Sequence, residues 1–132
     1  MKRNLVRHWM TANVLSVPSA TPLVEAEVFM EAHRIRRLLV VDDGRLAGVV
    51  TSGDLRQAKA GRNPESAAQP RSVGEIMTPD PISVPEAFNI GLAAQTMLQA
   101  KISGLPVVDD QGGLVGILSE SDIFRYVIEV SR

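Results

Sequence analysis

Two short stretches place a hydroxyl and a carboxylate three residues apart. They are Gly48-Val49-Val50-Thr51-Ser52-Gly53-Asp54 and Gly116-Ile117-Leu118-Ser119-Glu120-Ser121-Asp122. An ionised carboxylate only accepts hydrogen bonds, so it can take both hydroxyls of one sugar. A hydroxyl beside backbone N–H groups at a helix start suits an anion. The same spacing also has a structural use. A hydroxyl followed three residues later by an acid, where a strand runs into a helix, forms a capping box that satisfies the first N–H groups of the helix. The two roles are compatible, because a cap can also hold a ligand.

Other chemistry-bearing residues point to no catalytic centre. The chain has two histidines, His8 and His33, and no cysteine, so no metal-ligand spacing arises. Asp42-Asp43 and Asp109-Asp110 fall in turns, where aspartate bonds to nearby backbone. Gly112-Gly113 is likewise a turn, since no G-x-x-x-x-G-K-[ST] phosphate loop is present. Met10, Met30, Met77 and Met97 recur in register and read as core filler. His33 reads as structural and Arg37 as part of a solvated face. With no nucleophile–base pair and no cofactor fingerprint, the chain is not expected to be an enzyme.

The elements that position the paired stretches occur twice. Trp9-Met10-Thr11 matches Ile76-Met77-Thr78 at an offset of 67 residues, and Val40-Val41-Asp42-Asp43 matches Val107-Val108-Asp109-Asp110. One extra residue near Gly112-Gly113 moves the offset to 68, which aligns Asp54 with Asp122. Each copy reads β-α-β-β-α, an α+β pattern. A short strand (Val14 to Val17; Ile82 to Val84) ends at a proline. A helix follows, with Thr21 as N-cap and Pro22 at the first helical position in the first copy. Leu23, Ala26, Met30 and His33 share one of its faces, as Ile90, Ala93, Met97 and Ala100 do in the second copy. Two strands joined by a hairpin turn run from Arg37 to Val50 and from Leu105 to Leu118. A last helix opens near Gly53 or Ser121. Residues 1–57 and 72–132 are thus repeats, and 58–71, rich in Gly, Pro, Ser and Ala, is a linker. A repeat of this size has a marginal core alone, so the copies are expected to pack together and share one.

Composition narrows the class further. The net charge of −1 offers no cationic surface for nucleic acid. No apolar run nears the ~18 residues that span a membrane. The basic start, Lys2-Arg3 with Arg7-His8, lacks the apolar stretch of a signal peptide, so a cytoplasmic protein beginning at its true N-terminus is expected.

The duplicated pattern resembles a tandem pair of cystathionine-β-synthase (CBS) domains. The motifs that carry the resemblance are Ile76-Met77-Thr78 before a short strand, Ser103-Gly104-Leu105-Pro106-Val107-Val108-Asp109-Asp110, and the two G-h-h-[ST]-x-x-D segments (h, apolar). The resemblance implies two copies packed through their sheets with pseudo-two-fold symmetry. It further implies clefts for AMP, ADP, ATP or S-adenosylmethionine as a regulatory ligand, with no cofactor required. Carried over by position, one cleft would use Thr51 and Asp54 with Thr78, Ile82, Ser83, Ile102, Ser103 and Pro106. The other would use Ser119 and Asp122 with Thr11, Leu15, Ser16, Ile35, Arg36 and Leu39. In both, the carboxylate would hold ribose and the hydroxyl phosphate. Arg34 and Lys101 match a position where the family often carries a basic residue near phosphate. The first copy departs from the family at Arg36-Arg37 and at Leu39, where proline is usual. A module with blocked clefts that serves protein interaction is the alternative. If one site binds, the Asp54 site is the expected one. A homodimer and a regulated protein partner are also implied.

Overall fold

The computed structural model describes residues 3–61 and 70–132. Most of the expected linker lies outside the described residues, and Ala58–Ala60 finish a helix instead.

The chain forms two compact units that do not coincide with the sequence repeats. The first unit is Leu15–Pro81; the second combines the residues up to Val14 with Ile82–Arg132. In the first unit the order is β1 (Ser16–Val17), α1 (Leu23–His33), β2 (Arg37–Asp42), β3 (Arg45–Thr51), α2 (Ser52–Ala60), α3 (Val73–Ile76) and β4 (Thr78–Pro79). In the second, a 3₁₀ turn (Val6–His8) precedes β5 (Val84–Pro85), α4 (Ile90–Ala100), β6 (Gly104–Val108), β7 (Leu114–Ser119) and α5 (Glu120–Val130). The sheets run β1-β2-β3-β4 and β5-β6-β7. In each, the short first strand is parallel to the second, and the next pair is an antiparallel hairpin with a register shift at the same repeat position, Val40/Val41 and Val107/Val108. The first hairpin turns through Asp43 and Gly44, both at positive φ, as a two-residue primed turn requires.

Local sequence explains most boundaries. Asn89 caps α4, its Oδ1 accepting from the N–H of Gly91 at 2.8 Å. The start of α1 is one residue later than expected. Pro22, with ψ at 147°, is the extended N-cap, and its carbonyl accepts the Ala26 N–H at 3.0 Å. Thr21 therefore lies outside the helix. Ala26 and Met30 are buried as expected, but His33 is exposed and its ring lies against Phe29 with centroids 4.4 Å apart.

Two apolar clusters form, one per unit, and they match position by position. Val17, Ala26, Met30, Leu38 and Val40 in one correspond to Val84, Ala93, Met97, Leu105 and Val107 in the other. The leading residues are exchanged: fully buried Val73 completes the cluster of the first unit, and its repeat counterpart Val6 completes that of the second. Each marginal copy borrows core from its neighbour in this form.

The exchange explains the glycine of the paired motif. β4 pairs with β3 through Gly48–Pro79 and Val49–Thr78, and Thr11 bridges Ile117 in the same manner. A Cβ on Gly48 would fall 2.5 Å from Met77 Sδ and 2.8 Å from the Thr78 carbonyl oxygen. A Cβ on Gly116 would fall 2.7 Å from Met10 Sδ and 2.9 Å from the Thr11 carbonyl oxygen. Glycine is needed because a second backbone crosses the strand there.

Candidate ligand-binding site

Both hydroxyl–carboxylate pairs form complete capping boxes at the junction of a strand and a helix. In the first unit, the Asp54 N–H donates to Thr51 Oγ1 at 3.0 Å and the Thr51 N–H donates to Asp54 Oδ2 at 2.8 Å. In the second, the Ser119 N–H and hydroxyl donate to Asp122 Oδ2 at 2.8 and 3.0 Å. The first N–H of each helix is tied to the residue before the preceding strand pair: Ser52 to the Arg36 carbonyl at 2.9 Å and Glu120 to the Ser103 carbonyl at 3.2 Å.

The remaining carboxylate oxygens differ. Asp122 is 2% exposed, and its Oδ1 accepts a hydrogen bond from the Arg125 guanidinium, which also reaches the Trp9 carbonyl at 3.3 Å. Trp9 in turn meets Tyr126 edge-on with centroids 5.6 Å apart. The position matching Arg125 in the first copy is Gln57. Asp54 is half-buried, and its Oδ1 has no hydrogen-bond partner among the described residues. The cap thus fixes one oxygen of Asp54 and leaves the other oriented and open, whereas Asp122 is saturated.

Thr78, expected to reach Thr51 from the opposite copy, lies in the same unit as Thr51, exposed on β4 opposite Val49. Thr11, exposed, is in the same unit as Ser119. The first unit also holds Leu15, Ser16, Arg34, Ile35, Arg36 and Leu39; the second holds Ile82, Ser83, Lys101, Ile102, Ser103 and Pro106. Arg34 and Arg36 are exposed, while Leu39 is buried in β2 between Ser16 of β1 and Val49 of β3. Pro106 takes the matching place in β6, opposite Ile117.

Arg34 and Lys101 end α1 and α4 in the left-handed conformation, with φ of 55° and 57°. That position favours glycine, and holding a long cationic side chain there costs about 1 kcal/mol. A positive charge at a helix C-terminus offsets part of the cost. Sequence reasoning found the residues but missed their backbone strain, which has no signal in periodicity. It also missed Arg125, since only the absence of a matching residue in the first copy marks it.

Among the described residues, no group of histidines and acids could hold a metal ion, and no helix is long and apolar enough to cross a membrane.

The duplicated α+β architecture with a capped [ST]-x-x-D in each half defines a tandem module. The CBS domain family model matches residues 6–61 and 73–129, and the chain belongs to that family. A CBS domain-containing protein of Dictyostelium discoideum is 32% identical over 96% of this chain and 92% of its own length. The chain matches only a fifth of the length of inosine-5'-monophosphate dehydrogenase from Thermoplasma acidophilum, at 34% identity over 84% of this chain. Among solved structures, CBSX2 in complex with AMP superposes with a TM-score of 0.85 at 31% identity, covering 98% of this chain and 99% of that one. The CBS domain pair of protein MJ0100, in complex with 5'-methylthioadenosine and S-adenosyl-L-methionine, gives 0.74 at 31%, covering 97% and 98%.

Proposed function

We propose that the chain is a regulatory module that senses an adenosyl ligand, AMP, ADP, ATP or S-adenosylmethionine, through the Thr51–Asp54 site. The observation that carries this reading is the open Asp54 Oδ1 beside a capped Oδ2. An oriented acceptor with no partner among the described residues can take ribose hydroxyls without first breaking a bond to any of them. Thr51 Oγ1 already accepts from Asp54, so its own proton is available for a phosphate oxygen at the positive end of α2. Asp122, bonded at both oxygens, is read as a structural cap. The AMP and S-adenosylmethionine complexes of the similar CBS pairs support the ligand class.

The module is not an enzyme in this reading. It acts in the cytoplasm as a homodimer on a regulated protein partner, by binding ligand more tightly in one of two conformations. Titration calorimetry with the four ligands tests the proposal. Binding of at least one of them, weakened in Asp54→Ala and retained in Asp122→Ala, is the expected result. Absence of heat with all four would overturn it.

A further inference from the structure

The two units carry the same groove between their helices, built from matching positions with different charge. In the first unit α1 and α2 line a groove of about 570 Å³, which reaches Ser52, the residue after Thr51. Its cations are Arg34, Arg36, Arg56 and Lys59, set against the acids Glu27 and Glu31. Lys59 reaches Glu27 at 3.8 Å. The three arginines are exposed and have no ion-pair partner among the described residues. In the second unit α4 and α5 line a groove of about 440 Å³. There Lys101, Ser103 and Phe124 take the places of the three arginines, and Glu120 takes the place of Ser52. The surplus of positive charge is thus confined to the unit with the open carboxylate.

Arg56 joins this groove to the Thr51–Asp54 site. A Cβ on Gly53 would lie 3.6 Å from Thr51 Oγ1 and 3.7 Å from a guanidinium nitrogen of Arg56. The Arg56 side chain therefore turns back over the first turn of α2, and Gly53 puts no side chain between the guanidinium and the Thr51 hydroxyl. In the second copy Ser121 stands in the place of Gly53. Arg36 is held beside the same turn, because its carbonyl accepts the Ser52 N–H at 2.9 Å.

We infer that the Thr51–Asp54 site selects phosphorylated adenosyl ligands over S-adenosylmethionine, and that Arg56 is the residue that sets this preference. The inference rests on the adenosyl reading of the site and narrows its ligand class. A phosphate on the ribose meets both the Thr51 hydroxyl and the Arg56 guanidinium, whose planar N–H groups match phosphate oxygens. The further phosphates of ADP and ATP lie along the groove that Arg34 and Arg36 also line, so affinity rises from AMP to ADP to ATP. S-adenosylmethionine carries a sulfonium cation in the place of the first phosphate. That cation meets like charge, and the ligand's one carboxylate is offset by an ammonium on the same carbon. The groove of the second unit has Phe124 and Glu120 at the matching places and offers a phosphate no such partner.

Titration calorimetry of the full chain with adenosine, AMP, ATP and S-adenosylmethionine reads the preference. Adenosine keeps the base and both ribose hydroxyls and carries no phosphate, so it separates the adenosyl reading from the phosphate preference. In the wild type, ATP binds about tenfold or more tightly than adenosine, AMP falls between them, and S-adenosylmethionine binds no better than adenosine. Arg56→Gln lowers ATP affinity about tenfold, the worth of one charge-assisted hydrogen bond, and leaves adenosine unchanged. Arg56→Lys, which keeps the charge without the planar fork, loses less. S-adenosylmethionine binding as tightly as ATP, or an Arg56→Gln loss that is equal for ATP and adenosine, overturns the inference and leaves the adenosyl reading standing. An ATP affinity that Arg56→Gln does not move overturns Arg56 as the determinant. No heat with any of the four overturns both readings together.

Discussion

The first unit keeps an open carboxylate and a charged helix face; the second saturates its carboxylate and turns the same face apolar. Their cores match residue for residue, from Val17 and Val84 to Val40 and Val107. Duplication therefore preserved what folds each unit and released what each unit does. Arg125 closes Asp122 where Gln57 leaves Asp54 open, and Phe124 and Val127 stand where Arg56 and Lys59 do. In the proposed function, the open carboxylate of the first half is the one that takes the ligand.

The shared core sets the largest expected effect. Gly48→Val and Gly116→Val each force a side chain into a crossing backbone and should cost about 3 kcal/mol or more by urea denaturation. Similar losses in both would show that the exchanged segments matter equally; a loss in only one would break the symmetry of the cores. Next come the carboxylates. Asp122→Ala leaves the Ser119 N–H and Arg125 without their acceptor and should cost about 2–3 kcal/mol of stability with AMP affinity little changed. Asp54→Ala removes only a cap, about 1 kcal/mol, yet should weaken AMP binding at least tenfold.

Exchanging the residue that separates them sharpens the comparison. Gln57→Arg should close Asp54 Oδ1 and reduce AMP affinity about tenfold, one charge-assisted bond's worth. Arg125→Gln should free Asp122 and raise the calorimetric stoichiometry from one AMP per chain towards two. A stoichiometry that stays at one would mean the second site is closed by more than Arg125.

The smallest effect is one of pH. Asp42 accepts from the Ser19 side chain and, at 2.9 Å, from the Ser19 N–H, and these bonds hold its carboxyl below the usual aspartate range. Its counterpart Asp109 instead caps its own turn through Gln111 and Gly113. A depressed carboxylate stabilises the fold fully above its unfolded pKa near 4 and loses that contribution as pH falls further. Asp42→Asn should therefore flatten the acid limb of the urea midpoint below about pH 4 and leave the neutral region lower but level. An unchanged acid limb would remove Asp42 from the account.

The repeat, the strand and helix order, the hairpin turns and both capping boxes were legible in the sequence because each is local. A two-residue glycine turn, a hydroxyl three residues before an acid and a helical stripe such as Ala26-Met30 are specified within a few positions. Thr21 was misplaced by one residue because proline can stand on either side of a helix boundary. Among the candidate site residues, Leu39 was legible as a departure, but its burial between two strands was not.

The sequence by itself determined two equivalent copies, each with a hydroxyl and an acid at a helix start. Only the tertiary structure decided that Val6 and Val73 change places, that Thr78 joins the unit of Thr51, and that Arg125 reaches Asp122 and Trp9. The physical reason is separation along the chain. Local patterns fix dihedrals and caps, whereas pairing of residues tens of positions apart depends on which buried surface each segment completes. Identical motifs at Asp54 and Asp122 thus acquire different free valences from neighbours that their own spacing does not specify.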